Sequence, residues 1–191
     1  MGTTGLATMA YYYFDFRDVK KQDRYGLLSS LASQLSAELD SCYEVLFKLY
    51  SSHASGTRKP TTSMLTTCIK DMLSLPGQGQ IYIILDALDE CPDVSGLPSA
   101  REEVLELVEE LVGLKLSNLH LCAASRPEIG IRKTFEPLKP LQISLHDESG
   151  QKEDIIEYIK FLVHSDRKMR SWRDEDKELV IDVLAEKVDG M

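Results

Sequence analysis

The chain has no run of 18 or more apolar residues, so no segment of it reads as a membrane span. Its four cysteines, Cys42, Cys68, Cys91 and Cys122, stand far apart and form no C-x-x-C pair. With no signal peptide in view, they read as free thiols in a reducing compartment, and a cytoplasmic location is expected. The histidines, His53, His120, His146 and His164, lack metal-ligand spacing, which argues against a structural zinc site. Positive charge is scarce: 22 Lys and Arg against 31 Asp and Glu leave a net charge of −9. No nucleic-acid partner bound through its phosphates is therefore expected. The opening Met-Gly carries Leu6 where a myristoylation signal needs Ser or Thr. No internal repeat or low-complexity tract is present.

What the chain does hold is the material of a folded domain. Its 191 residues, 43% hydrophobic and 28% charged, are enough to bury a core. The most informative stretch is Ile81–Cys91, IYIILDALDEC. Five apolar residues, Ile81 to Leu85, follow Gly77 and Gly79, and predict a strand buried on both faces of a parallel sheet. Acids then arrive abruptly, as Asp86, Asp89 and Glu90. Ligands of open α/β sheets bind at the carboxyl ends of strands. A carboxylate fixed there can hold Mg²⁺, usually through water, and a second can polarise an attacking water. The pattern hhhhD-x-x-D-E has the Walker B form of a P-loop NTPase; the alternative is a strand followed by a solvated acidic turn.

Strands are predicted at 9–16, 80–86, 118–124 and 141–145. Between and after them, apolar periodicity predicts helices over 26–39, 41–50, 62–75, from Ser99 to about Leu111, 129–134, 152–164 and 175–188. Leu27, Leu28, Leu31 and Leu35 face inward on the first, and Met64, Leu65, Cys68, Ile69, Met72 and Leu73 form the stripe of the third. Ser99 with Glu102 reads as a capping box, and Gly113 as the stop of that helix. His146–Gly150 reads as a polar turn. Strands alternating with helices argue for an α/β fold with a parallel sheet. Residues 1–150 are expected to form the core, and 151–191 the start of a helical subdomain.

The strand at 118–124 runs into Ser125-Arg126-Pro127-Glu128. In a parallel sheet its end lies on the same edge as Asp86. Arg126 there suits a phosphate, since its planar fork matches phosphate oxygens and its charge is permanent. The alternative is a capping or salt-bridging arginine beside a turn-forming proline.

LDALDEC followed by LHLCAASRPE, after an early YYYFDFRD, resembles the NACHT class of signal-transducing P-loop ATPases. The resemblance is closest to the nephrocystin-3-like N-terminal domain, abundant in repeat-bearing proteins of filamentous fungi, and it covers about Met9 to Val188. It implies a P-loop NTPase-type sheet flanked by helices, with ATP or GTP and Mg²⁺ as ligands. Asp86 would be the Mg²⁺-associated acid, Asp89 and Glu90 would order the hydrolytic water, and Arg126 would sense the phosphate. It also implies a switch between closed and assembled states. Partners would be the chain itself or related NACHT chains, with effector domains upstream and repeats downstream.

One part of that pattern is missing. The phosphate loop, G-x-x-x-x-G-K-[ST], needs a Gly-Lys step, and no glycine here precedes a lysine. The resemblance implies that the loop belongs a few tens of residues before the Met9–Phe16 strand, ahead of Met1, and that its strand lies between those at 118–124 and 141–145. The chain is thus expected to be a truncated module without its central phosphate-loop strand, binding nucleotide poorly and turning over none by itself. The alternative function is a non-catalytic scaffold of the same fold, with the helices at 152–188 as its contact surface.

Overall fold

Three segments become strands: β1 (Thr8–Tyr13) and β2 (Ile81–Asp86), rich in β-branched and aromatic residues, and the apolar β3 (Leu119–Ala123). They form one parallel sheet in the order β1-β2-β3, with Thr8 beside Ile81 and Ile81 beside Leu119. This is a computed structural model, and it describes residues 7–52, 58–93, 98–143 and 151–187. The chain divides into two units, Met1–Pro140 and Leu141–Met191.

In the first unit, α1 (Arg24–Glu38), α2 (Asp40–Ser52) and α3 (Thr62–Leu73) connect β1 to β2. α4 (Ala100–Val112) connects β2 to β3, and α5 (Ile129–Phe135) follows β3. The expected stripes pack as one core. Leu27, Leu28, Leu31 and Leu35 of α1, Ile69 and Met72 of α3, and Val104 and Val108 of α4 enclose Ala10, Ile81, Ile83 and Leu85. Met64, expected in the stripe of α3, is instead 38% exposed, because it sits at the outer margin of that stripe in the first turn. The capping box forms: the Ser99 hydroxyl accepts from the Glu102 N–H, and Glu102 accepts from the Ser99 N–H. Across the helical layer, Glu110 accepts from Arg24 and Lys70 at 2.8 and 2.7 Å, tying α4 to α1 and α3.

Two expectations about the sheet are corrected. β2 is not buried on both faces: Ile81, Ile83 and Leu85 are buried, but Tyr82 is 41% exposed and Ile84 is half-buried. The same face carries exposed Met9, Tyr11 and Tyr13 of β1 and exposed His120 and Cys122 of β3. A five-residue apolar run says that both faces are apolar, not that both are covered. The second correction concerns the expected strand at 141–145. Leu141–Ile143 is not a strand, and Leu141 and Ile143 are exposed. A strand needs a neighbour to take its backbone hydrogen bonds. Among the described residues none pairs with the outer edge of β3. The rest of that segment, Ser144 and Leu145, and the turn expected at His146–Gly150 lie outside the described residues.

The outer edge of β1 is protected at one point by a side chain. Gln34 of α1 accepts from the Tyr11 N–H at 3.0 Å and donates to the Tyr11 carbonyl at 2.7 Å, as a neighbouring strand would.

The second unit is a pair of helices, α6 (Gln151–Ser165) and α7 (Asp174–Lys187), packed against each other. Val163 and Ile181 are buried. Leu162, Leu179, Val183 and Leu184 are exposed, since two helices offer each other too little surface to cover both apolar stripes. No helix among the described residues is long and apolar enough to cross a membrane.

Three buried protic groups make the first unit sensitive to base. Burial pushes the Cys91 thiol up to about 12, the Cys68 thiol up to about 11 and the Tyr12 hydroxyl up to about 12. Their ordinary values are 9.0 for the thiols and 10.0 for the phenol, so the unfolded chain ionises first as pH rises. Stability from these groups is whole below about pH 9 and is lost progressively towards about pH 12. Thermal melts followed by circular dichroism should hold steady from neutrality to about pH 9 and then fall steeply.

Candidate functional site

The turn after β2 is built from an alternation that sends one residue inward and its neighbours outward. Asp86 closes the strand, and its carboxylate accepts from the Ala87 N–H at 3.0 Å. Ala87 has φ of 53°, in the left-handed region, which swings the chain into a short 3-10 turn over Leu88–Glu90. Leu88 is fully buried and anchors the turn, and its N–H donates to the Ala124 carbonyl at 3.0 Å. A left-handed alanine is strained, so Ala87→Gly is expected to raise stability by about 0.5–1 kcal/mol, read by urea unfolding.

That anchoring leaves the three acids half-buried on one edge of the sheet. Each has a distinct partner. Glu90 accepts from the Phe16 N–H, just after β1, at 3.2 Å. Asp89 accepts from the Arg126 N–H at 3.1 Å, and its other oxygen lies 3.5 Å from the Arg126 Nε. Asp86 meets Phe14, whose N–H donates to the Asp86 carbonyl at 3.1 Å. The ends of all three strands therefore converge, and Asp86, Asp89, Glu90 and Arg126 share one edge. Nearby, the hydrogen bond from Arg17 holds the Asp15 carboxyl below its usual range. The same contact raises the Arg17 guanidinium, with a smaller contribution from the charge of Glu90.

Asp89 and Arg126 differ sharply in exposure. Its side chain is 13% exposed, whereas that of Arg126 is 86% exposed. The acid is held by the fold, and the arginine reaches into water beside it. Cys91, which follows the turn, is buried and donates its thiol to the Gln22 carbonyl at 3.2 Å. With its thiol pushed up to about 12 by burial, it is a structural residue at neutral pH.

The oxygen donors suit a hard cation. Among the described residues no three His, Cys, Asp or Glu side chains converge on one point that could hold a metal ion. The described residues therefore form no protein cage for such an ion.

One residue of the site was not anticipated from sequence. Arg101, on the first turn of α4, is 6% exposed. Its guanidinium donates to the Asp89 carbonyl at 2.7 Å, to the Cys91 carbonyl at 2.9 Å and to the Glu128 carboxylate. A signal was available: Arg101, Val104, Leu105 and Val108 are spaced i, i+3, i+4 and i+7, so the arginine stands on the buried stripe.

A family described as nephrocystin 3, N-terminal, matches residues 3–126, which takes in β1, the acidic turn and Arg126. No curated protein and no solved structure matches the chain.

Proposed function

The chain belongs to the nephrocystin 3 N-terminal family, and from that premise we propose that it is the acidic-turn and sensor half of a NACHT-type, nucleotide-dependent signalling switch. The observation that carries this reading is the meeting of Asp89 with Arg126 on the edge that also holds Asp86 and Glu90. In this reading Asp86 is the Walker B acid and the metal-associated carboxylate. Bound Mg²⁺ would supply charge neutralisation at the phosphates of ATP or GTP. Glu90 is the candidate for orienting a water, because its carboxylate is fixed by one backbone N–H and retains acceptor capacity. Asp89 is occupied by Arg126, so its first role is to hold that arginine. Arg126 is the phosphate sensor, since its guanidinium is an exposed cation held beside the acids of the edge.

The phosphate loop that would complete the module has no counterpart in the sequence. Residues 1–191 alone are expected to turn over no ATP in a phosphate-release assay. Turnover that Asp86→Ala abolishes contradicts this.

A second reading, a non-catalytic scaffold acting through self-association or related chains, is favoured by the exposed sheet face. Met9 and Tyr13 are each 54% exposed and stand beside exposed Tyr11 and Tyr82. Size-exclusion chromatography with light scattering separates the readings: a dimer whose mass is unaffected by Mg·ATP favours the scaffold.

A further inference from the structure

We propose that Arg101 is the positioning residue of this edge, locking the acidic turn and the Ser125–Glu128 turn into one unit and thereby aiming Arg126. The side-chain contact between Arg126 and Asp89 cannot do this alone. Arg126 is 86% exposed, its Nε is 3.5 Å from the carboxylate, and an ion pair so hydrated contributes little. What holds the backbone of the Arg126 turn is a closed ring of hydrogen bonds. Arg101 donates to the Asp89 carbonyl, and the Asp89 carboxylate accepts from the Arg126 N–H. The Arg126 carbonyl accepts from the Glu128 N–H at 2.8 Å, and the Glu128 carboxylate accepts from Arg101.

Every part of the ring is suited to transmit position. Arg101 has a planar fork, so the three groups it bonds fix each other's geometry in a way that one ammonium cannot, and the Asp93 carboxylate lies 3.6 Å away as a further charge partner. It is itself fixed from behind, because its N–H donates to the Pro92 carbonyl at 3.1 Å and the capping box at Ser99 holds the start of α4. Glu128 is partly exposed, so the ring is closed at the surface and anchored in the core. Movement of Arg126 towards a bound phosphate then carries Glu128, Arg101 and the start of α4 with it. What the unit faces rests on the nucleotide reading above; the ring itself does not.

The test is backbone amide hydrogen exchange on the 191-residue chain, without nucleotide. In Arg101→Met, exchange at the Arg126 and Glu128 amides is expected to rise by about tenfold relative to the ladder amides of Ile83 and Leu85. Arg101→Lys should fall between Met and wild type. Lys70→Met, which breaks the contact with Glu110 across the helical layer but leaves the ring, should not move the ratio. Should Arg101→Met fail to fold, Glu128→Ala opens the ring from its exposed side and should give the same rise at Arg126. An unchanged ratio in the variant that folds, or an equal rise in Lys70→Met, overturns the proposal. Amide shifts on adding Mg·ATP to the same samples read the nucleotide assignment separately.

Discussion

Gly26→Ala is expected to destabilise the first unit by roughly 2–3 kcal/mol, the opposite of what the same change does in an open helix. In a solvated helix, alanine gains up to about 1 kcal/mol over glycine through backbone entropy. Here an added Cβ would lie 2.4 Å from the Lys20 carbonyl oxygen and 2.7 Å from the Tyr12 hydroxyl. The first contact is with backbone, which cannot rotate aside. Lys20 lies in the 3-10 turn Val19–Lys21, and the Asp23 cap of α1 accepts from the Gly26 N–H at 2.7 Å. Relief of the clash therefore requires the start of α1 to lift away from the end of β1. Heat denaturation should show a fall of roughly 5–10 °C, from the usual scaling for a chain of this size. A gain in stability would mean that the approach of α1 to the β1 loop is looser than described.

Leu88→Ala is expected to cost about 2–4 kcal/mol, the range for a fully buried leucine whose cavity collapses only in part. Leu88 is the one wholly buried residue of the turn that carries Asp86, Asp89 and Glu90. The loss should therefore appear twice, in urea unfolding and in amide shifts of Asp89 and Arg126. Arg126→Ala, by contrast, should change stability by no more than about 0.5 kcal/mol, because its side chain is almost entirely in water. That contrast separates the residues that build the edge from those that act on it.

Much of this was legible in the residues. The Ile81–Leu85 run, the leucine stripe of α1 and the Ser99–Glu102 box each carry a local physical signal, and each formed where expected. The meeting of the acidic turn with Arg126 was legible from parallel topology, since strand ends of a parallel sheet share an edge. What escaped were facts about partners. Tyr82 and Ile84 are as apolar as Ile81 and Ile83, and nothing in a strand says which face a helix will cover. Leu141–Ile143 has strand-like residues, but no strand lies beside it to take its backbone hydrogen bonds among the described residues. A single charge in a helix such as Arg101 reads as surface; only its register with Val104, Leu105 and Val108 points inward. Parallel topology brings the two turns to one edge but leaves open which acid bonds Arg126; the structure shows that it is Asp89.

The most direct test of the switch assignment is the melting temperature of the chain in Mg·ATP. A site with Kd of about 1 mM, offered about 10 mM ligand, stabilises the fold by about 1.4 kcal/mol. For a chain of this size that is a rise of roughly 3–6 °C. Such a rise is expected for the wild type, with its loss in Asp86→Ala and its reduction to the Mg·ADP level in Arg126→Ala. No rise, or a rise that survives Asp86→Ala, contradicts the switch assignment.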